Sequence, residues 1–320
     1  MAEFELIDRY FNAIAMRRDD VVLGIGDDCA VLDLPPGRQL AVSTDTLVAG
    51  IHFPQLTSAE DVGYKSLAVN LSDLAAMGAH PAWATLCLTL PEEDDKWLSG
   101  FSRGFSELLR AYNIQLVGGD TTHGPLSVTV NVIGFIKPNL ALQRSGARPG
   151  DKIFVTGSIG DAGLGLKKML ASISHDTGLR HCIGRLNRPT PRLEVGKSLL
   201  GISRCAIDIS DGLLADLGHI CQRSGCGAHI YAEQVPLSAE LRQFYGELLP
   251  WQDILSAGDD YELCFTLAPD QLDKLEDIRN KSKTGITCIG EISAQTGVQC
   301  ELPDGSFLQT VHTGFNHFES

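Results

Sequence analysis

Apolar residues along this chain recur at two spacings, every third or fourth position and every second position, and the alternation between them sketches a mixed fold. Phe4, Leu6, Ile7, Tyr10, Phe11 and Ile14 fall at helical spacing and predict an amphipathic helix at the start. Strand-like runs follow at 39–43, 83–90, 114–117 and 127–136. Between them, a helix is predicted from Ser58, an N-cap followed by Glu60 and Asp61, to Met77, where Gly78 and Pro81 stop it. A second helix, over 94–112, carries Trp97, Phe101, Phe105, Leu108 and Leu109 as its buried stripe. The stretch 137–151, with Pro138, Gly146, Pro149 and Gly150 among Arg144 and Arg148, reads as a connection that divides the chain into domains 1–137 and 138–320. Beyond it come a strand over 152–156, the glycine-rich turn Gly157-Ser158-Ile159-Gly160-Asp161 and a helix toward Leu170. A strand over 206–209, a helix over 213–222 and strands over 229–232, 262–267 and 287–291 complete the pattern. Strands and helices mix without strict βαβ alternation. The expected fold class is therefore α/β, of the α+β kind with mixed sheets and two domains, rather than a Rossmann fold.

Five apolar stretches end in predicted tight turns of small residues carrying one or two aspartates. They are Gly24-Ile25-Gly26-Asp27-Asp28, Ser43-Thr44-Asp45-Thr46, Gly118-Gly119-Asp120-Thr121, Asp208-Ile209-Ser210-Asp211-Gly212 and Gly258-Asp259-Asp260. A single aspartate after a strand serves as turn punctuation as readily as a ligand, because its carboxylate bonds its own backbone. Five such segments, each with Gly, Ser or Thr that lets backbone approach a ligand, point instead to a shared metal-phosphate site. Clustered carboxylates repel, and an all-oxygen donor set suits Mg²⁺, which completes its shell with water and substrate phosphates. Asp73 adds to this set. On the 58–77 helix, Leu67, Leu71 and Leu74 form the core stripe, while Asn70 and Asp73 share an adjoining face at i, i+3 spacing.

Composition narrows the partners. With 320 residues and a net charge of −14, the chain is large enough for two cores and badly matched to a nucleic-acid backbone or an anionic membrane surface. The start of the chain has no basic segment followed by an apolar run, and no apolar run is long enough to span a bilayer, so a soluble cytoplasmic protein is expected. Nine scattered cysteines without C-x-x-C spacing read as reduced, partly buried thiols. The chain contains no G-x-x-x-x-G-K-[ST] loop, no H-R-D catalytic loop with D-F-G and no G-x-S-x-G elbow. Gly157 to Gly165 is only a weak match to a phosphate-cradling turn. Phosphate chemistry here belongs to none of the common kinase architectures.

The motifs Gly-Ile-Gly-Asp27-Asp28-Cys-Ala, Ser43-Thr44-Asp45-Thr46-Leu47-Val48, Asn70-Leu71-Ser72-Asp73-Leu74-Ala75-Ala76-Met77-Gly78, Gly118-Gly119-Asp120-Thr121, Ile207-Asp208-Ile209-Ser210-Asp211-Gly212-Leu213 and Gly258-Asp259-Asp260-Tyr261-Glu262-Leu263 together resemble the thiamine-monophosphate kinase family. The resemblance runs on to Gly314-Phe315-Asn316-His317-Phe318, nearly the whole chain. It implies ATP-dependent phosphorylation of thiamine monophosphate to thiamine diphosphate. It also implies the two-domain architecture of ATP-using aminoimidazole-ribonucleotide synthetases, with amino-terminal domains paired in a homodimer.

By the same resemblance, Asp28, Ser43, Thr44, Asp45, Asp73, Asp120, Asp208 and Asp211 would hold several Mg²⁺ ions, with Asp45, Asp120, Asp208 and Asp211 central to catalysis. Gly119, Asp120, Arg144 and Ser210 would touch the nucleotide, and His52, Asp259 and Phe315 the thiamine portion. The family's G-[ED]-D-Y-E-L motif takes the shorter Asp259 here, and Phe315 can stack on a ring without donating a hydroxyl bond. The amino-terminal domain 1–137 would bind ATP and Mg²⁺ and pair in the dimer, and 138–320 would complete the site. Two other readings remain open: a selenophosphate synthetase-like enzyme, for which this chain offers only Cys29 behind the aspartates, and a silent nucleotide- or metal-binding module.

Overall fold

A computed structural model describes residues 3–171, 179–309 and 314. The chain divides into two compact units, 1–74 with 79–139, and 75–78 with 140–320. The elements of the first unit are α1 (Glu3–Leu6), β1 (Val21–Leu23), β2 (Val31–Leu32), β3 (Gln39–Val48), α2 (Ala59–Met77), β4 (His80–Leu90), α3 (Asp95–Tyr112), β5 (Gln115–His123) and β6 (Ser127–Ile136). Strands β3-β6-β4-β5 form a four-stranded sheet in that order, antiparallel except for the parallel pair β4/β5. Along β6, Val128, Val130 and Val132 are buried while the residues between them are half-exposed, the period-two pattern of a sheet with one covered face.

Both predicted helices form, each capped by the side chain before it. The Ser58 hydroxyl accepts from the Asp61 amide, and the Asp94 carboxylate accepts from the Lys96 and Trp97 amides. Phe101, Phe105, Leu108 and Leu109 of α3 are buried as their spacing predicts. The two helices cross at backbone contact: a Cβ on Gly104 would lie 1.8 Å from the Glu60 carbonyl oxygen, and one on Gly63 would lie 2.1 Å from that of Phe101. The opening apolar stripe buries Leu6, Tyr10 and Phe11, but its winding differs from the single helix expected. It passes from α1 into a π turn at Ile7–Phe11 and a 3₁₀ turn at Asn12–Ile14.

The second unit contains β7 (Lys152–Thr156), α4 (Asp161–Leu170), α5 (Arg180–Asn187), α6 (Leu193–Leu199), β8 (Cys205–Asp208), α7 (Leu213–Ser224), β9 (Gly227–Tyr231), α8 (Ala239–Tyr245), α9 (Trp251–Ser256), β10 (Leu263–Leu267), α10 (Leu275–Ser282), β11 (Ile286–Ser293) and β12 (Gly297–Glu301). Its six-stranded sheet runs β12-β9-β11-β7-β10-β8, with only β12/β9 parallel. Ile153, Val155 and Ile207 of the sheet pack with Leu213, Leu217 and Ile220 of α7 in its core.

All nine cysteines are free thiols. Burial pushes those of Cys182, Cys205 and Cys221 up to about 12, which keeps them protonated and inert. Among the described residues, no helix is long and apolar enough to cross a membrane.

Candidate functional site

The Ser43-Thr44-Asp45-Thr46 segment does not end its strand. It lies in the middle of β3, which runs for ten residues, and Asp120 likewise lies within β5. Alternation therefore divides the segment between two faces. Ser43 and Asp45 meet α2: the Ser43 hydroxyl donates to Asp73, and the Asp45 amide donates to Asn70 Oδ1 at 3.1 Å. Asn70 is fully buried and anchored in turn by its own donation to the Ser66 carbonyl. Thr44 takes the other face, where its hydroxyl accepts from Asn131 Nδ2 at 2.6 Å. Burial, followed by the Asp73 charge, pushes the Asp45 carboxyl up to about 6.

The β1–β2 loop and β5 form a second location. Asp27, Asp28, Gly118, Gly119 and Asp120 line a cavity of about 640 Å³, walled on its apolar side by Ile7 and Phe11. Gly119 is required there by close backbone approach, since a Cβ would fall 1.8 Å from the Leu86 carbonyl oxygen. The sheet register relates the two locations: Asp45 faces Val130, Val130 faces Leu86, and Leu86 faces Gly119. Asp45 and Gly119 thus stand on opposite edge strands, three strand spacings or about 14 Å apart.

His52 lies in the turn after β3. Its Nδ1 accepts from the Val48 amide at 3.0 Å, so the neutral ring carries its proton on Nε2. Its carbonyl accepts from Lys65, a lysine only 1% exposed.

In the second unit, Asp208 closes β8 and is buried. The Ser210 and Asp211 amides donate to one carboxylate oxygen of Asp216, in the first turn of α7, at 3.0 and 3.1 Å. Asp216 was not among the predicted site residues. Its only signal was a second aspartate five positions after Asp211, where a helical turn brings it back beneath the loop. Asp211, Asp216 and His219 offer ligand atoms all within 4.8 Å of one another, a spacing that fits one cation. Burial, then the Asp211 charge, pushes the Asp216 carboxyl up to about 7, and the Arg144 guanidinium pulls the other way, so Arg144 shares this neighbourhood.

The two aspartates of the Gly258-Asp259-Asp260 segment separate in role. Asp259 adopts a left-handed backbone, φ 69°, with its amide donating to the Ser210 carbonyl at 2.9 Å. Asp260 is turned into the fold, where its carboxylate accepts from the Gly160 amide at 2.8 Å at the start of α4. The glycine-rich turn at 157–160 is therefore filled by a protein carboxylate at the helix end, rather than offered to a phosphate. Phe315 lies outside the described residues. Gly314 sits against α7 and its preceding loop, where an added Cβ would lie 2.6 Å from both the Asp211 carbonyl oxygen and Ala215 Cβ.

Residues 26–136 match the family model of the AIR synthase related protein, N-terminal domain, and residues 148–302 match that of its C-terminal domain. The thiamine-monophosphate kinase of Salmonella typhimurium is 48% identical, over 99% of this chain and 98% of its own. The crystal structure of thiamine-monophosphate kinase from Stenotrophomonas maltophilia superposes with a TM-score of 0.88 at 45% identity, covering 96% of this chain and 98% of that one. AaThiL complexed with AMPPCP and TMP superposes with a TM-score of 0.79 at 31% identity, covering 99% and 97%. With such identity over nearly its whole length, in both domains, the chain belongs to the thiamine-monophosphate kinase family of ATP-using phosphotransferases.

Proposed function

We propose that this protein transfers the γ-phosphoryl group of ATP to the phosphate of thiamine monophosphate, giving thiamine diphosphate and ADP, by direct in-line attack assisted by Mg²⁺. One observation carries the reading: Asp45 and Asp73 converge beside Ser43, where burial first and the Asp73 charge second push the Asp45 carboxyl toward neutrality, a cost that a divalent cation relieves. The Asp211, Asp216 and His219 grouping adds a second cation-sized arrangement. The oxygen-rich donors thus fit the metal. Asp28, Ser43, Thr44, Asp45, Asp73, Asp120, Asp208 and Asp211 would hold several Mg²⁺ ions, which when bound draw charge from phosphate oxygens.

The second pKa of a phosphate monoester lies near ~6, so the attacking oxygen of the acceptor is already ionised at neutral pH. The chain needs no general base. Its residues must instead hold two anions in line and screen their repulsion. Arg144 supplies a fixed positive charge near Ser210, and both, with Gly119 and Asp120, would hold the nucleotide. His52, Asp259 and Phe315 would meet the thiamine portion. Domain 1–137 would bind ATP and Mg²⁺ and pair in a homodimer, with 138–320 completing the site. The exposure of Leu40 and Val42, 49% and 59%, on β3 supports that pairing.

The test is formation of thiamine diphosphate from thiamine monophosphate and ATP, with and without Mg²⁺, beside free thiamine as acceptor. Mg²⁺-dependent product from the monophosphate alone is expected. Absence of product while ATP still binds would overturn the assignment.

A further inference from the structure

The segment from Gly258 to Glu262 passes through two left-handed residues that are not glycine, Asp259 at φ 69° and Tyr261 at φ 49°. L side chains seldom adopt this conformation, so surrounding contacts must hold it. On one side the holders are backbone groups of the preceding motif. The Asp259 amide donates to the Ser210 carbonyl at 2.9 Å, the Tyr261 amide to the Ile209 carbonyl at 2.8 Å, and the Ile209 amide to the Glu262 carbonyl at 2.8 Å.

On the other side the holders are two arginines. The fully buried Glu262 carboxylate accepts from Arg185 Nη2 at 2.7 Å, from Arg192 Nε at 2.6 Å and Nη2, and from the Thr156 hydroxyl at 2.5 Å. The same Nη2 of Arg185 also donates to the Asp260 carbonyl at 3.0 Å, the carbonyl lying between the two left-handed residues. A buried ion pair adds little stability over an apolar replacement of its own shape, and its best-attested use is to specify one arrangement. Here the arrangement specified is that of a loop bonded directly to Ser210.

We propose that Arg185 and Arg192, braced on Glu262, are positioning residues for phosphoryl transfer: they fix the loop so that Asp259 meets the acceptor while its amide stays bonded to Ser210. The inference rests on the kinase reading above, in which Asp259 contacts the thiamine portion. Arg185 is the informative position, because Arg192 and Thr156 still partner Glu262 when it is replaced.

Steady-state kinetics with thiamine monophosphate and ATP on wild type, Arg185→Met and Arg185→Lys test it. Arg185→Met is expected to raise KM for thiamine monophosphate by about tenfold or more, through misplacement of Asp259. KM for ATP should stay within about twofold. Arg185→Lys, which restores a positive charge beside Glu262 and the Asp260 carbonyl, should recover most of the loss. A purely structural role would lower the melting temperature and the active fraction while leaving KM untouched, and that result overturns the proposal. So does a failure of lysine to rescue. Should Arg185→Met prove insoluble, Arg185→Gln, which removes the charge while keeping a polar side chain, carries the same comparison against lysine. A wild-type protein that makes no thiamine diphosphate would overturn the kinase reading itself, so the two failures are distinct.

Discussion

The hydroxyl of Ser43 on β3 donates to the carboxylate of Asp73 on α2 at 2.5 Å, joining residues 30 positions apart in the chain. With the Asp45 amide on Asn70, it fastens the centre of a strand to one turn of a helix. Two carboxylates, those of Asp45 and Asp73, are thereby brought within each other's field in a half-buried place, where their repulsion is strong.

From this geometry, Asp45→Asn should reduce turnover by at least about 100-fold through loss of a metal-binding charge. Its denaturation midpoint in metal-free buffer should stay level or rise, because the amide removes the repulsion with Asp73. Asp120→Asn should likewise lose turnover. Normal activity of either variant at ordinary Mg²⁺ would make that residue a structural strand position.

Asp216 makes stability depend on pH in a defined direction. Its folded carboxyl titrates at about 7, against ~3.9 in the unfolded chain. Between these values the folded state keeps a proton that the unfolded state has released, so the contribution is full below about pH 4 and is lost as pH rises through about 7. In metal-free buffer the wild-type midpoint should therefore fall over that interval relative to Asp216→Asn, whose amide oxygen can still accept from Ser210 and Asp211. Parallel pH profiles of the two proteins would refute this assignment.

Gly119→Ala should shift β5 away from β4, because the new methyl would meet the Leu86 carbonyl oxygen. Overpacking of this kind costs about 1–3 kcal/mol or more. Guanidinium unfolding measures the loss, and ATP affinity should weaken with it, since Gly119 and Asp120 line the same cavity. An alanine variant of full stability would mean that the strand relaxes freely.

Direct transfer leaves no phosphoenzyme. After mixing with γ-labelled ATP and rapid quenching, label should appear in ADP-free product and none on the protein. Stoichiometric label trapped on a carboxylate or histidine would establish a covalent intermediate instead.

What the sequence determined by itself was the local order and the family. The spacing of Phe101, Phe105, Leu108 and Leu109 buries one side of α3, and the alternation along β6 covers one face of its sheet, because helix and strand periods are properties of the backbone. Side-chain caps at Ser58 and Asp94 mark helix starts for the same local reason. Helices α5, α6 and α8 to α10, of six to eight residues, and the two- and three-residue strands β1 and β2 are too short to show a period.

Only the tertiary structure decided which aspartates face a site. Asp45 and Asp120, expected in turns, lie inside paired strands on opposite edges of one sheet, where β6 and β4 between them impose the register. Asp259 and Asp260 are adjacent in sequence, yet one is held left-handed beside Ser210 while the other closes the start of α4. Asp216 gains its perturbed carboxyl from burial beneath a loop that α7 happens to reach. These outcomes depend on which distant groups fill the space around each carboxylate, and residue identity alone does not contain that.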